Sequence, residues 1–272
     1  MSSPTDSVPA FRRKLLVYVP VFNCANIVVS VLSRIPPAVW SVADLLVIDN
    51  HSDDGSSDRI LAAIEDHQFP GPIRLVRTEK NLGYAGSQKL AYKMALASPS
   101  VKYIAMLHGD GQYDPELLNH FLPHADGPDA VVYGYRDRKA YPDREETPLT
   151  TYAIIKTLSV IESAITGVHR KEWHTGFVMY ATEFLARLDL DAMTSTPHID
   201  GQMLFLSGAL REKVRDIPIY KRYRELDAFS GLARIVYVLN VFRLLLQFRL
   251  KRVLPLRGSQ SARPLSSFTI LY

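Results

Sequence analysis

The chain has few of the features that mark secreted, disulfide-bonded or membrane-spanning proteins. It holds a single cysteine among 272 residues, so no internal disulfide can form and a reducing compartment is expected. No uncharged apolar run approaches the roughly 20 residues needed to cross a bilayer. Residues 1–13 are polar and lack the apolar stretch of a signal peptide. We therefore expect a cytoplasmic protein, at most one bound to the cytoplasmic face of a membrane.

Several catalytic and binding motifs are also missing. One cysteine excludes a zinc–thiolate site, and neither an H-E-x-x-H helix nor a G-x-S-x-G nucleophile turn occurs. The loop 81–86 contains Gly83 and Gly86 but no phosphate-cradle fingerprint. Basic residues are not interleaved with aromatic residues, so we expect no nucleic-acid partner. The net charge of +4 is concentrated after Arg211 and fits an anionic ligand or an anionic membrane surface.

Short apolar runs alternate with helical patterns along most of the chain. This alternation, in a chain with 47% hydrophobic residues, predicts an α/β fold with a mainly parallel central sheet flanked by helices. Polar or small residues follow nearly every predicted strand, which indicates one crevice at the carboxyl ends of the strands. The predicted strands are 15–19, 44–49, 73–77, 103–107 and 130–134, with an edge strand at 214–219 because Pro218 cannot donate to a ladder. The predicted helices are 25–34, 59–67, a helix ending near residue 97, 150–166, 182–188 and 199–210.

The most informative stretch follows the fourth predicted strand and reads His108-Gly109-Asp110-Gly111-Gln112-Tyr113-Asp114-Pro115. A carboxylate at the end of a core strand lies where open α/β sheets bind ligands. Hard divalent cations take one or two carboxylates and complete their shell with water and substrate phosphates, so Asp110 could tether a metal–diphosphate complex. The alternative is that Asp110 only caps the helix that Pro115 opens.

Other polar residues near the predicted crevice each have a functional and a structural interpretation. Asp49 and Asn50 could bind a nucleoside, or could satisfy the backbone of their own loop. Arg136 could hold a phosphate, or could be an ordinary surface arginine. Asp200 could act as a general base, or could cap the helix that follows it. His108 gains interest because Asp110 lies two residues further along.

The domain organisation is expected to be simple. We predict a disordered lead-in at 1–13, a catalytic domain at 14–225 and a helical segment at 226–272. The last segment contains a long, imperfectly amphipathic stretch, 228–256, punctuated by arginine and lysine. It is compatible with lying on a membrane surface, packing on the catalytic domain, or forming a homodimer seam.

Taken in order, the motifs resemble those of family 2 glycosyltransferases with the GT-A fold. The resemblance covers roughly 14–225, and its spacing is most similar to that of the dolichyl- or polyprenyl-phosphate sugar synthase branch. The segments that carry it are Val17-Tyr18-Val19-Pro20-Val21-Phe22-Asn23, Val47-Ile48-Asp49-Asn50-His51-Ser52-Asp53-Asp54-Gly55-Ser56, Glu79-Lys80-Asn81-Leu82-Gly83-Tyr84-Ala85, Leu107-His108-Gly109-Asp110-Gly111-Gln112-Tyr113-Asp114-Pro115, Thr175-Gly176-Phe177 and Asp216-Ile217-Pro218-Ile219.

The resemblance implies an inverting, metal-dependent transfer of a sugar from a nucleotide sugar to a polyprenyl phosphate. It implies that Mn²⁺ or Mg²⁺ is bound by Asp110, Gln112 and His108, and that Arg136 binds the acceptor phosphate. Asp110 and Asp200 are the implied catalytic residues. The implied donor-binding residues are Pro20, Phe22, Asn23, Asp49, Asn50, Gly83, His108 and Asp110.

Three residues depart from the family pattern and leave other activities open. His108 stands where the family usually has the first Asp of D-x-D, and imidazole suits Mn²⁺ better than Mg²⁺. Cys24 stands where a Glu is usual, and Gln202 where an acid often follows Asp200. One alternative is transfer to a sugar hydroxyl in a glycan or polysaccharide, for which Asp200 would take the proton. Another is a non-catalytic relative that only binds nucleotide sugars.

Overall fold

A computed structural model describes residues 9–223, 231–250, 255–256 and 265–272. These residues form one eight-stranded sheet with helices on both faces. The strands are β1 Leu15–Val21, β2 Ala43–Asp49, β3 Ile73–Thr78, β4 Tyr103–Met106, β5 Val131–Arg136, β6 Val178–Ala181, β7 Val214–Ile219 and β8 Phe268–Ile270. The helices are α1 Val28–Ser33, α2 Pro37–Val42, α3 Ser56–Glu65, α4 Gly83–Leu96, α5 Leu149–Thr166, α6 Thr182–Ala186, α7 Ile199–Ala209 and α8 Gly231–Arg249, with short 3₁₀ helices at Pro115–His120 and Leu122–His124.

The sheet has the order β7-β5-β6-β4-β1-β2-β3-β8. β1 pairs in parallel with both β2 and β4, β2 with β3, and β5 with β7. β6 is antiparallel to β4 and β5, and β8 is antiparallel to β3. The carboxyl ends of six strands therefore meet at one edge, and the beginning of β6 lies at the same edge. The predicted mainly parallel α/β architecture is confirmed, including the edge position of β7.

Continuous apolar strands form because the central strands are covered on both faces. Every residue of β2 is buried, and β1 is buried except at Pro20, which is half-buried. Their alternate side chains enter two separate hydrophobic clusters, one on each side of the sheet. Leu16 and Tyr18 belong to the cluster that contains α4, α7 and α8, whereas Val17 and Val19 belong to the cluster that contains α1 and α2. Both faces of the central sheet are therefore covered, and the loops lie at the edges formed by the strand ends.

Three local features differ from the sequence prediction. The predicted helix 25–34 begins only at Val28, after a turn, and ends at Ser33. Pro37 starts the short helix α2 rather than only stopping α1, because proline is well accommodated in the first turn of a helix. The strand β8 was not predicted. Its three residues, Phe268–Ile270, pair with β3.

The two ends of the chain pack on the domain where they are described. Residues 9–13 fell in the predicted lead-in, yet Phe11 is buried and the amides of Arg12 and Arg13 donate to Asp44 Oδ2 at 2.6 and 3.0 Å. Residues 1–8 of that lead-in lie outside the described residues, as do 224–230, across the predicted domain boundary, and 251–254, with Lys251 and Arg252.

The C-terminal helix α8 packs on the domain through one face and exposes another. Val241 and Leu245 are buried in the hydrophobic cluster, and α8 contacts α5. Packing on the catalytic domain, one of the three alternatives for this segment, therefore occurs along part of the helix. Among the described residues, no helix combines the length and apolarity required to span a bilayer.

Candidate active site

The turn after β4 lies against the end of β1. The Gly109 amide donates to the Pro20 carbonyl at 3.2 Å. A Cβ at Gly109 would lie 2.8 Å from that oxygen and 2.9 Å from Val21 Cγ2, so only glycine allows this approach. The close contact brings Asp110 next to the loop after β1. Burial raises the pKa of Cys24 in that loop, and the charge of Asp110 raises it further.

Asp110 has one carboxylate oxygen available to a ligand. Its Oδ1 accepts the Gln112 amide at 2.9 Å, whereas Oδ2 has no hydrogen-bond partner in the described part of the chain. The side chain is half-buried. The capping role that the sequence left open belongs instead to Asp114, whose Oδ1 accepts the Glu116 amide at 3.2 Å at the start of the 3₁₀ helix. Asp110 is thus free of the structural function proposed as its alternative.

His108 is fixed by a carbonyl and by two aromatic rings. Its Nε2 lies 3.3 Å from the Gly176 carbonyl, which can only accept, so Nε2 carries the proton. The ring packs against Tyr113 and Tyr84, with centroid separations of 5.0 and 6.1 Å. Burial lowers the pKa of His108, a change that the Asp110 charge opposes. The neutral ring therefore has its lone pair on Nδ1.

Asp49 and Asn50, at the end of β2, organise the neighbouring loops. Asp49 is fully buried; it accepts the Ser52 amide at 2.8 Å, the Ser57 hydroxyl and the Arg77 guanidinium at 3.2 Å. These contacts match the alternative in which the side chain satisfies its own loop. The role of Asp49 as a donor-binding residue stays a prediction.

Asn50 joins the end of β2 to the loop before α4. Its Nδ2 donates to Asn81 Oδ1 at 3.0 Å, and its Oδ1 accepts the Leu82 amide at 2.8 Å. The next residue, Gly83, begins α4 with a φ of +70°. Asn50 and Gly83 therefore set the shape of one wall of the crevice.

The loop after β1 presents an aromatic ring to solvent. Phe22 is 48% exposed, although it immediately follows the buried residue Val21. Asn23 has a φ of +52°, and its amide and side-chain oxygen bond to Ser52 Oγ and the Asp53 amide at 2.9 and 3.1 Å. These hydrogen bonds join the loop after β1 to the loop after β2, and the ring of Phe22 projects from them into solvent.

Asp200 lies in the first turn of α7, and its side chain is enclosed by polar groups. Tyr84 Oη donates to Asp200 Oδ2 at 2.9 Å, Gln88 Nε2 donates at 3.3 Å, and Tyr180 Oη donates to Oδ1 at 3.4 Å. Burial raises the pKa of Asp200 to about 6, although these hydrogen bonds oppose the shift. Asp200 reaches the His108 region through Tyr84, which contacts both residues.

Arg136 ends β5 and is buried. Its Nε donates to Glu172 Oε1 at 2.7 Å, its amide donates to Glu172 Oε2 at 2.8 Å, and its Nη2 donates to the His174 carbonyl at 3.1 Å. Lys156, on α5, bonds to the Arg136 carbonyl at 2.9 Å and lies 3.4 Å from the Glu172 carboxylate. Arg136 is therefore already paired, and its predicted role with an acceptor phosphate stays a prediction.

Two basic residues that the sequence analysis missed follow β7. The Arg222 amide donates to the Gln112 carbonyl at 2.8 Å, and its side chain donates to Asp114 Oδ2 at 2.8 Å. Lys221 Nζ lies 5.7 Å from the centroid of the Tyr113 ring. The available signal was two basic residues soon after a strand whose end lies at the ligand edge. The structure thus brings His108, Asp110, Gln112 and two cationic groups together.

The chain matches the family model described as Glycosyl transferase family 2 over residues 16–191. An uncharacterised protein of Methanocaldococcus jannaschii is 25% identical over 198 residues, which cover 72% of this chain and 83% of that protein. The family match includes β1 to β6 and the turn that carries Asp110. It favours an enzyme over the non-catalytic relative that His108 left open.

Solved structures show the same architecture. Glucosyl-3-phosphoglycerate synthase from Mycobacterium tuberculosis, in complex with Mn²⁺, uridine diphosphate and glucosyl-3-phosphoglycerate, has a TM-score of 0.59 and 15% identity over 87% of this chain and 80% of that one. Its complex with Mg²⁺ and uridine diphosphate has a TM-score of 0.57 and 15% identity over 87% and 79% of the two chains. At this identity the likeness establishes the fold. The chain belongs to glycosyl transferase family 2 and is a glycosyltransferase with the GT-A fold.

Proposed function

We propose that this glycosyltransferase moves a sugar, with inversion, from a nucleotide sugar to a polyprenyl phosphate in a reaction that depends on a divalent metal. The observation that carries the acceptor proposal is the exposed apolar surface of α5 and α8, two helices that contact each other beside the buried Arg136. Lys156 and Tyr152 of α5 both donate to the Arg136 carbonyl, so α5 extends directly from the ligand edge.

The metal fits the turn after β4. Asp110 offers a carboxylate oxygen that has no hydrogen-bond partner among the described residues, His108 offers Nδ1, and Gln112 lies two residues beyond Asp110. An oxygen and nitrogen donor set that includes imidazole suits Mn²⁺ well. When bound, the metal neutralises the charge that develops on the departing nucleoside diphosphate. The Mycobacterium tuberculosis enzyme was crystallised with Mn²⁺ or Mg²⁺ and uridine diphosphate, which supports the same donor class here.

The donor nucleoside would lie over the β1 and β2 loops. The exposed ring of Phe22 is suited to stacking on a base, a contact worth about 1–3 kcal/mol. Pro20 and Asn23 shape the loop that carries this ring, and Asn50 and Gly83 shape the facing wall. Asp49 contributes by holding the β2 loop, because all its contacts are internal.

The acceptor would approach from the side of β5, β7, α5 and α8. Lys221 and Arg222 stand beside the metal turn and supply positive charge for a phosphate. A stripe of exposed apolar residues at helical spacing runs along α8, with Arg243 and Arg249 exposed next to it, as in helices that lie on anionic membranes. The exposed large apolar residues are Ile235, Val236, Leu239, Phe242, Leu246 and Leu250 on or just after α8, and Leu149, Ile154 and Val160 on α5.

A phosphate acceptor also suits the condition of Asp200. A lipid phosphate is already ionised at neutral pH and needs no base to attack the anomeric carbon. Asp200 is buried and its oxygens are occupied by Tyr84, Gln88 and Tyr180. We assign it the role of holding Tyr84 against the crevice.

The experiment is product analysis with radiolabelled nucleotide sugars, Mn²⁺ and short-chain polyprenyl phosphate. We expect a product that partitions into organic solvent and releases its sugar under mild acid, as a glycosyl phosphodiester does. A product with a stable glycosidic bond, formed only with hydroxyl acceptors, would contradict the proposal. The wild-type protein and Asp58→Asn, an exposed change on α3, should behave alike.

A second candidate is transfer to the hydroxyl of a small phosphorylated acceptor. The raised pKa of Asp200, about 6, is the observation that favours it, because a general base near neutrality is effective. Asp200→Asn separates the candidates. A rate loss of about 100-fold or more, together with loss of an ionisation near pH 6 from the pH–rate profile, would support the hydroxyl acceptor. Under the polyprenyl phosphate proposal, kcat should fall much less and the profile should keep its shape.

A further inference from the structure

A cluster of metal-ligating side chains lies apart from the Asp110 turn. Glu162 extends from α5, His174 from the connection between β5 and β6, and His198 from the residue before α7. Their side chains are 0, 3 and 1% exposed, and their three ligating atoms lie within 4.8 Å of one another. No residue of this cluster belongs to the donor or acceptor site proposed above.

The ligating atoms of the three side chains lie close to one another. His174 Nε2 lies 2.8 Å from Glu162 Oε2, and His198 Nε2 lies 3.0 Å from Glu162 Oε1. Even so, none of these four buried atoms has a partner in hydrogen-bond geometry in the described part of the chain. Buried polar atoms without partners are costly, so this arrangement calls for an occupant that can satisfy all four atoms.

The far side of both rings restricts where their protons can be. The Tyr237 hydroxyl, on α8, lies 2.8 Å from His174 Nδ1 and 3.3 Å from His198 Nδ1. One hydroxyl proton cannot serve two lone pairs, whereas the hydroxyl oxygen can accept from two N–H groups. The arrangement in which both Nδ1 atoms donate to Tyr237 leaves both Nε2 lone pairs directed towards Glu162. Two lone pairs facing a carboxylate repel unless a cation lies between them.

We propose that Glu162, His174 and His198 bind a divalent transition-metal ion, Zn²⁺ being the best fit. Two imidazoles and one carboxylate suit a borderline-soft ion better than Mg²⁺ or Ca²⁺, which prefer oxygen ligands. Tetrahedral zinc places its ligand atoms about 3.3 Å apart, and the ligating atoms of this cluster lie within 4.8 Å of one another. Histidine ligands commonly donate their second ring N–H to an outer acceptor, which here is the Tyr237 hydroxyl.

The alternative to a metal ion is a proton on each of His174 Nε2 and His198 Nε2, which would make the cluster a buried ion pair with Glu162. With the Glu162 carboxylate ionised, this needs a positive charge on one imidazole, since Tyr237 can satisfy only one neutral ring. A metal ion removes that requirement.

The ion would join parts of the chain that are distant in sequence. It would link α5 and the start of α7 to the loop before β6, and through Tyr237 it would fix α8. The same loop carries Glu172 and the His174 carbonyl, the two partners of Arg136. We therefore assign the ion a structural role in holding the helices that carry the exposed apolar surface.

The test measures metal content and thermal stability in the full-length chain. The protein is stripped with chelator, incubated with ZnCl₂, dialysed and analysed by mass spectrometry of the metal. We expect one tightly held zinc ion per chain and a rise in melting temperature on adding zinc. Glu162→Gln and His198→Asn should each lose the bound zinc and the thermal response. Asp110→Asn, which alters the donor metal site, and His124→Asn, which removes one of the ion pairs of Asp129, should keep both.

Cobalt spectroscopy on the wild-type protein gives a second measurement that does not depend on the variants folding. Co²⁺ bound by two imidazoles and a carboxylate should give the strong visible d–d bands of tetrahedral coordination, and Zn²⁺ should abolish them. Absence of tightly held zinc in the wild type, or equal zinc content and cobalt bands in Glu162→Gln, would overturn the proposal. Failure of Asp110→Asn to keep the ion would place the metal at the donor site instead.

Discussion

The two halves of the ligand edge are built in different ways. On the side of β1, β2 and β4, each loop is organised by residues close to it in sequence or by the adjacent strand: Asp110 bonds to Gln112, Asp49 to Ser52 and Gly109 to Pro20. On the side of β5 and β7, the pairs join distant positions, as in Arg136 with Glu172 and Lys221 with Tyr113. The first half is therefore held by contacts within and between neighbouring loops, whereas the second depends on contacts between distant segments.

The largest expected effect comes from removing the donor-side carboxylate. Asp110→Ala should lower kcat by roughly 100- to 10,000-fold, because metal neutralisation of the leaving diphosphate is worth several kcal/mol. Steady-state kinetics at saturating Mn²⁺ measures this. Asp58→Asn is the matched carboxylate control and should retain activity. Near-wild-type turnover in Asp110→Ala would remove the metal turn from the mechanism.

The acceptor side should respond to a change in its buried ion pair with a loss of stability. Glu172→Gln leaves the Arg136 charge buried without its partner, which should lower the free energy of unfolding by about 3–5 kcal/mol. Chemical denaturation reports the change. Glu183→Gln, an exposed residue at the start of α6, should shift it by no more than about 0.5 kcal/mol. A Glu172 variant as stable as this control would show that the pair is not needed to hold that half together.

The raised pKa of Asp200, which lies between the two halves, should be visible in the pH dependence of stability. Its pKa is raised from 3.8 to about 6 by burial, so the folded protein keeps a proton that the unfolded chain releases. The contribution of this group to stability should therefore fall by about 3 kcal/mol as the pH rises from 4 to 6. Asp200→Asn should remove that component in denaturation curves collected across this range. A wild-type curve whose stability rises through the same window, and a variant with an identical profile, would contradict the assignment.

The exposed apolar face of α8 should give a smaller and more selective effect. Leu239→Glu with Leu246→Glu should reduce binding to anionic vesicles by about tenfold or more, because each leucine contributes about 1.5–3 kcal/mol when buried. Cosedimentation with vesicles measures this. Val42→Glu, at a similarly exposed apolar residue on the other face of the sheet, is the control. Equal vesicle binding by the wild type, the double variant and Val42→Glu would show that the exposed face of α8 does not bind membranes.

The same contrast explains what the sequence could predict. Continuous apolar runs predicted the central strands and their alternation with helices, and Pro218 correctly indicated that β7 lies at an edge. The Asp110 turn was identifiable because its chemistry lies within eight consecutive residues. By contrast, Glu162 and Glu172 lie in helical or loop sequence with no local signal, and only folding brings them to His174 and Arg136.

Other features could not be decided from the sequence, for local reasons. The sequence analysis considered only Asp110 as the cap of the short helix, whereas the hydrogen bond to the Glu116 amide shows that Asp114, directly before Pro115, caps it. The helix α8 has two apolar faces, one packed and one exposed, so its pattern looked imperfectly amphipathic. Asp49 was singled out for the donor, while its contacts are internal and its predicted donor role stays a prediction.

The central claim is that Asp110 and its turn connect the protein to a nucleoside diphosphate through a metal ion. Isothermal titration of nucleoside diphosphates into the wild type and into Asp110→Asn, each with Mn²⁺ and with chelator, tests it most directly. The account predicts that the wild type binds one diphosphate tightly only when Mn²⁺ is present, and that Asp110→Asn loses this dependence along with most of the affinity. Equal affinity and equal metal dependence in the two proteins would contradict it.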